Sequence, residues 1–294
     1  MLITGTRGAE SFCLSWKGGA AVNIQSVAAV YFSATDTTKT VVSRIAQRTA
    51  DLLDVPVRTV DFTLPGARKT VTAFAENELV IFGVPVYAGR IPNLLLPFVQ
   101  SGFSGENTPA VPVVLYGNRN YDDALIELRD VLESNGFRTV AAGAFIGEHS
   151  FSYTLAAGRP DAADLSRAEE LADLVFARVT GAEPMPERPV PVRGHTPVRP
   201  YYTPRDRAGN PVNILKVKPK TKPDCDLCGI CASVCPMGSI DRDDPAVISG
   251  ICIKCGACVK KCPKQAKYYD DEKYLYHQHE LEEGFARRAE PEIF

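Results

Sequence analysis

The sequence predicts an α/β protein: an open, parallel five-stranded sheet over residues 26–181, followed by a small α+β domain over residues 220–270 that is organised around cysteine. Three observations carry this reading. Short apolar runs alternate with segments of helical period through the first 181 residues. A proline-rich tract at 182–219 then interrupts all periodicity. Beyond it, eight of the nine cysteines fall between 225 and 262, in the run C-x2-C-x2-C-x3-C-P written twice.

Residues 1–25 carry four glycines and little periodicity, and read as an N-terminal extension: a small hairpin, a mobile arm or translated sequence ahead of the functional start. Order begins with residues 27–32 (VAAVYF), a run suited to a strand buried on both faces. A hydroxyl-rich turn (SATDTTKT) follows, and then a helix in which Val41, Ile45, Arg48 and Leu52 recur at helical spacing. That order presents free N–H groups at a helix N-terminus, suited to an anion. Further strands are expected at 57–64, 78–86, 110–118 and 138–148. Between them stand a short helix in IPNLLLPFVQSG and an amphipathic helix in YDDALIELRDVLESNGF, with Asp122 and Asp123 in its first turn; a final helix ends at Gly181. The tract 182–219 reads as an extended connector lying along the sheet domain, pinned by Tyr201 and Tyr202, and residues 271–294 as a capping helix or tail. His277 and His279, two apart, face different sides of such a helix, which argues against a shared metal.

The cysteine repeat points to iron–sulfur clusters. Three thiolates spaced by two residues converge on three corners of a cube, and a fourth, three residues on and followed by proline, turns to the other cluster. One cluster is therefore assigned to Cys225, Cys228, Cys231 and Cys262, and a second to Cys252, Cys255, Cys258 and Cys235. Gly229 and Gly256 occupy equivalent places, where the main chain can approach sulfide. Structural zinc would leave the third cysteine of each triplet and both Cys-Pro pairs unexplained; disulfides fit poorly with a chain that shows no secretory signal. Cys13 reads as a small buried apolar residue. Clusters of this kind favour a reducing cytoplasm.

Composition closes other directions. Hydrophobic residues make up 45% of the 294, the formal net charge is −2 and the pI about 6.1, a balance that argues for neither nucleic acid nor an anionic membrane surface. No run approaches the length of a membrane span. Lys260, Lys261, Lys264 and Lys267 crowd the second cysteine run and read as a solvated surface, with guidance of an acidic partner as the alternative.

Residues 225–263 resemble the bacterial two-[4Fe–4S] ferredoxins. The turn Ser33, Ala34, Thr35, Asp36, Thr37, Thr38 is similar to the flavin-phosphate loop of flavodoxins, T/S-x-T-G-x-T, with Asp36 where that family has glycine. Its carboxylate either faces solvent or opposes the phosphate, in which case Asp36→Gly would tighten flavin binding. From about residue 27 to 267 the chain thus resembles the flavodoxin–ferredoxin fusion proteins of anaerobic bacteria and archaea. This implies a sheet of strand order 2-1-3-4-5, FMN and two [4Fe–4S] clusters. It also implies flavin contacts from Ser33, Thr35, Thr37, Thr38 and Lys39 at the phosphate and from the loops after the third and fourth strands, Tyr87, Gly89 and Arg90, then Gly117, Asn118 and Tyr121. Tyr87 and Tyr121 are the stacking candidates. His149, in the loop after the fifth strand, reads as an exposed loop residue, with a proton donor as the alternative.

The function so implied is electron transfer with redox partner proteins, joining one-electron cluster chemistry to the one- or two-electron chemistry of FMN. Two other readings stay open: a flavin-dependent reductase of a small acceptor beside Tyr87, Arg90 and His149, and an iron–sulfur sensing module whose sheet binds no flavin. Whether the chain is itself an enzyme is not decided, although no G-x-G-x-x-G turn for a nicotinamide cofactor is present. The connector also permits a homodimer in which each cluster domain serves its neighbour's flavin.

Overall fold

The computed structural model describes residues 21–186 and 188–294. Cys13 and most of the N-terminal extension lie outside the described residues.

Strands β1 (Ser26–Tyr31), β2 (Val57–Asp61), β4 (Glu78–Pro85), β6 (Thr108–Tyr116) and β8 (Gly143–Ile146) pair in parallel. Along the sheet they run β2-β1-β4-β6-β8, and the path ends in an antiparallel strand, β11 (Glu292–Ile293), from the far end of the chain. Side chains alternate between two cores, as a strand buried on both faces requires. From β1, Val27, Ala29 and Tyr31 face helices α1 (Thr37–Leu53) and α4 (Ala162–Val179), and Ala28 and Val30 face the layer of α2 (Leu96–Ser101) and α3 (Ala124–Ser134).

Helix α1 buries Val41, Val42, Ile45, Ala46, Thr49 and Ala50, the three- and four-residue spacing of one face. Helix α4 starts at a reciprocal cap in which the Asp161 side chain accepts from the Asp164 N–H and the Asp164 side chain from the Asp161 N–H. Arg44–Glu169 and Arg48–Asp173 join the exposed sides of α1 and α4.

The expected fifth strand is two pieces. β7 (Phe137–Thr139) pairs with the start of β6 and β8 with its end, so that residues 140–142 stand opposite only Val111 and Pro112. Pro112 has no N–H to give a neighbour, and the extra residue is taken up there as a bulge. A second departure is a two-stranded parallel pair, β3 (Thr72–Phe74) with β5 (Phe103–Gly105), outside the main sheet.

The connector lies along the sheet domain. Arg129 donates to the Val190 carbonyl at 3.0 Å, the Tyr201 hydroxyl to the Ile91 carbonyl at 2.9 Å, and the Tyr202 N–H to the Ala88 carbonyl at 2.8 Å. In the cysteine-rich domain β9 (Lys220–Thr221) pairs antiparallel with β10 (Lys267–Tyr268), and each half of the repeat carries one turn of helix, α5 (Ile230–Ser233) and α6 (Ala257–Lys260). Helix α7 (Glu272–Gly284), capped by the Asp271 side chain, leads back over the rim of the sheet to β11.

Candidate cofactor sites

The two halves of the cysteine repeat are related by an offset of 27 residues, and the backbone repeats with them. Left-handed conformations recur at Leu227 and Lys254 (φ 56° and 59°), at Gly229 and Gly256 (74° and 73°), and at Gly238 and Gln265 (59° and 49°). The thiol sulfur of Cys235 accepts the Ser239 N–H at 3.4 Å, and that of Cys262 accepts the Ala266 N–H at 3.2 Å. These are the N–H···S contacts that support a thiolate bound to iron. Leucine, lysine and glutamine in left-handed backbone are uncommon, so the matched pairs mark a conformation set by what the loops enclose.

Cys235, Cys252, Cys255 and Cys258 line one apolar cavity, walled by Ile240, Ile248, Ile251, Ile253 and Tyr269. This is the second set assigned from the sequence. Burial pushes the Cys255 thiol up to about 12 and that of Cys258 higher still, so thiolates there need metal to hold their charge. The first set is open by comparison: Cys228 is exposed, and Cys225 and Cys262 are half-buried.

The second set sits against the C-terminal rim of the sheet. A Cβ on Gly256 would lie 2.5 Å from the Ser150 carbonyl oxygen, which shows how closely the two main chains pass. Cys255 and Ala257 belong to the core under the sheet, with Ile253 and Val234 packed on it. Lys260 pairs with Glu148 at 2.5 Å, donates to the Ser152 carbonyl and lies 4.1 Å from the centre of the Tyr153 ring. Arg68 reaches from the loop after β2 to the Pro236 carbonyl at 2.5 Å. Nothing in the local sequence pointed to Arg68, Glu148 or Ser150, because each acts only on a segment distant in the chain.

At the same rim Thr35, Thr37, Thr38, Tyr87, Gly117 and His149 line a cleft, together with Gly147, Glu148 and Ser150. The loop before α1 leaves the N–H groups of Thr35, Thr37 and Thr38 without an acceptor among the described residues, while the Ser33 hydroxyl accepts from the Lys39 N–H at 2.9 Å. With three threonine hydroxyls this end fits a phosphate group. At φ 66° the Asp36 carboxylate stands exposed at the mouth of the loop and pairs with Lys261 of the cysteine-rich domain, 2.9 Å away.

The cleft as a whole is narrow, about 60 Å³, and the His149 ring lies over Gly117, where an added Cβ would come within 2.3 Å of it. An isoalloxazine ring is larger than this space, so a flavin ring there would require His149 to move off Gly117. Burial, with His277 and Lys260 nearby, pushes the His149 imidazole down to about 4; it is neutral at pH 7 and is not an acid poised to protonate a ligand. Tyr87 forms the wall between the cleft and the second cysteine set. Its phenol is pushed well above its ordinary value by burial and then by Cys255 and Cys252.

Six of the residues assigned to the flavin from the sequence stand outside the cleft, the buried Ser33 among them. Lys39 is exposed. Gly89, at φ 79°, packs against Asp122, and Arg90 forms a buried pair with Glu127 and lies 4.9 Å over the Tyr201 ring. Asn118 donates to the carbonyls of Phe285 and Arg287 at 2.6 Å and accepts from the Ala289 N–H, so it anchors the C-terminal tail. The Tyr121 hydroxyl donates to Glu292 of β11 at 2.9 Å. His149 is not an exposed loop residue, and His277 is buried near it behind Phe151.

Residues 224–267 match the family model described as a 4Fe–4S dicluster domain. Among solved structures, an archaeal flavodoxin is 16% identical, with 53% of this chain and 99% of that one covered and a TM-score of 0.37. A short-chain flavodoxin associated with a PDU bacterial microcompartment is 13% identical, covering 53% and 99%, at 0.38. The rubredoxin:oxygen oxidoreductase of Desulfovibrio gigas is 13% identical, covering 53% and 37%, at 0.38. Curated protein sequences yield no match. The chain joins a sheet of strand order β2-β1-β4-β6-β8 to a segment that matches the model of a 4Fe–4S dicluster domain.

Proposed function

We propose that this chain is an electron-transfer protein in which two [4Fe–4S] clusters serve an FMN held at the C-terminal rim of the sheet. The observation that carries the reading is the seam: the cavity of Cys235, Cys252, Cys255 and Cys258 is packed against the cleft of Thr35, Tyr87 and His149 within a single chain. When bound, the clusters supply one-electron steps and FMN supplies one- or two-electron steps. Cys225, Cys228, Cys231 and Cys262 would hold the outer cluster and the other four cysteines the inner one. Thr35, Thr37 and Thr38 would hold the phosphate, with Tyr87, Gly117 and His149 about the ring.

The protein's own contribution is position and exclusion of water. Lys260 and Lys261 fix the inner half on the rim, with Lys260 and its partner Glu148 both partly buried, and Arg68 holds the carbonyl of Pro236, next to Cys235. Isoleucines and Tyr269 keep its cavity apolar.

The reading is tested on anaerobically purified protein by acid precipitation. Release of FMN beside about eight irons per chain is expected; eight irons without FMN would leave an iron–sulfur module only. Turnover of an organic acceptor without a second protein would make the chain a reductase.

A further inference from the structure

We infer that the outer half of the dicluster domain is the docking port for a basic one-electron redox protein, an inference that rests on the electron-transfer reading. The two halves carry opposite charge. Residues 224–251 contain five aspartates and one arginine, a net charge of −4; residues 252–267 contain five lysines and no acid.

The lysines face inward. Lys260 and Lys261 bind Glu148 and Asp36, Lys254 donates to the Leu215 carbonyl at 2.7 Å, and Lys267 donates to the Thr221 hydroxyl at 2.8 Å. Only Lys264 among them is exposed and without a partner among the described residues. Lys260 and Lys261 join the cysteine-rich domain to the sheet, Lys254 and Lys267 are engaged with carbonyl and hydroxyl groups of the connector and of their own domain, and Lys264 alone does not make a surface for an acidic partner.

The aspartates face outward. Asp224, Asp226, Asp241, Asp243 and Asp244 are all exposed, and none forms an ion pair among the described residues. They surround an uncovered cluster ligand: Cys228 is exposed, Leu227 and Ile230 beside it are 59% and 37% exposed, and the Arg242 guanidinium lies 3.6 Å from the Cβ position of Gly229, which brings the 241–244 loop to the same face. The internal repeat gives this face its meaning. Ile230 corresponds to Ala257, which is fully buried in the core under the sheet. The surface that the inner half covers with the sheet domain is the one that the outer half leaves open, apolar at the centre and acidic around it.

An apolar centre with a charged rim is the composition of a transient interface, and the charge selects a partner with a basic rim around its own redox centre. Each reduced cluster is oxidised by one electron as one acceptor centre is reduced.

Cytochrome c serves as the probe, a basic one-electron protein. With the full-length holoprotein, carbodiimide coupling of carboxylates to cytochrome c lysines is expected to fall on Asp224, Asp226 and the 241–244 loop. Binding measured by titration calorimetry is expected to weaken about tenfold in the double variant Asp224→Lys, Asp226→Lys, and again on raising the salt from low to physiological concentration. Cluster absorbance, unchanged in the variant, shows that the domain is still built. Cross-links confined to Glu280, Glu283 or Glu290, binding indifferent to salt, or equal binding of lysine-acetylated cytochrome c would each overturn the port. The two readings fail separately. If reduced holoprotein, freed of excess reductant, binds the probe at the port but delivers no electron, the electron-transfer reading falls. If it reduces the probe at a rate blind to both charge changes and salt, the port falls.

Discussion

The inner and outer halves of the cysteine repeat share their ligand spacing, their left-handed positions and their N–H···S contacts, and differ in almost everything around them. Cys255 is buried in an apolar wall; its counterpart Cys228 is exposed. Gly256 lies against Ser150, whereas the nearest atom to a Cβ on Gly229 is an arginine side chain at 3.6 Å. Local geometry therefore follows from the ligand pattern alone, and the role of each half follows from what covers it. One half is built into the sheet domain, and the other remains available to a second molecule.

Removing one ligand from each half gives the largest contrast. Cys228→Ser and Cys255→Ser are each expected to lose about four of the eight irons. The inner variant should lose more stability, because its cluster holds α6, and α6 carries Lys260 and Lys261 across the seam. A melting temperature lower by ~5 °C for Cys255→Ser than for Cys228→Ser is expected, from a loss of roughly 3 kcal/mol in a protein of this size. Equal melting temperatures would mean that the inner half docks without its metal.

A gentler substitution separates backbone from neighbour. Gly229 and Gly256 have the same φ within a degree, so alanine strains both alike, by about 1 kcal/mol. Only at Gly256 does the added methyl meet a carbonyl oxygen at 2.5 Å, and backbone is slow to give way. Gly256→Ala should therefore cost ~1–3 kcal/mol more than Gly229→Ala in urea unfolding. Identical midpoints would show that the rim loop yields freely.

What could be read from the sequence follows the same division. Cysteine spacing, the strand–helix alternation and the hydroxyl-rich turn are local patterns, and the gathering of Cys235, Cys252, Cys255 and Cys258 at one cavity and of Thr35, Thr37 and Thr38 at one cleft was legible for that reason. Arg90, Asn118 and Tyr121 were assigned to a flavin because their loops stand at the proper rim. Their partners are Glu127, the tail at 285–289 and Glu292, the last two some 170 residues away, and no local signal announces a tail that returns. Strand β11 is two residues long with no periodicity and exists only because β8 offers it an edge. Lys260 and Lys261, taken with Lys264 and Lys267 for a solvated surface, turn inward because the sheet domain supplies Glu148 and Asp36.

Asp36 gives the smallest expected effect. A carboxylate in a phosphate loop suggests repulsion, yet this one is held by Lys261, with its side chain 58% exposed and that of Lys261 29% exposed. Such a pair contributes less than about 1 kcal/mol, and the same exposure screens the carboxylate from a phosphate. Asp36→Gly removes one weak contact across the seam and relieves a left-handed aspartate at φ 66°, changes that offset each other in stability. FMN affinity should then shift by less than ~2-fold in a fluorescence titration. Lys261→Ala, which leaves the carboxylate in place without its partner, should weaken FMN more than Asp36→Gly does, because only there is the negative charge free to act on the phosphate. A tenfold gain in affinity for Asp36→Gly would show instead that the carboxylate opposes the phosphate even when paired.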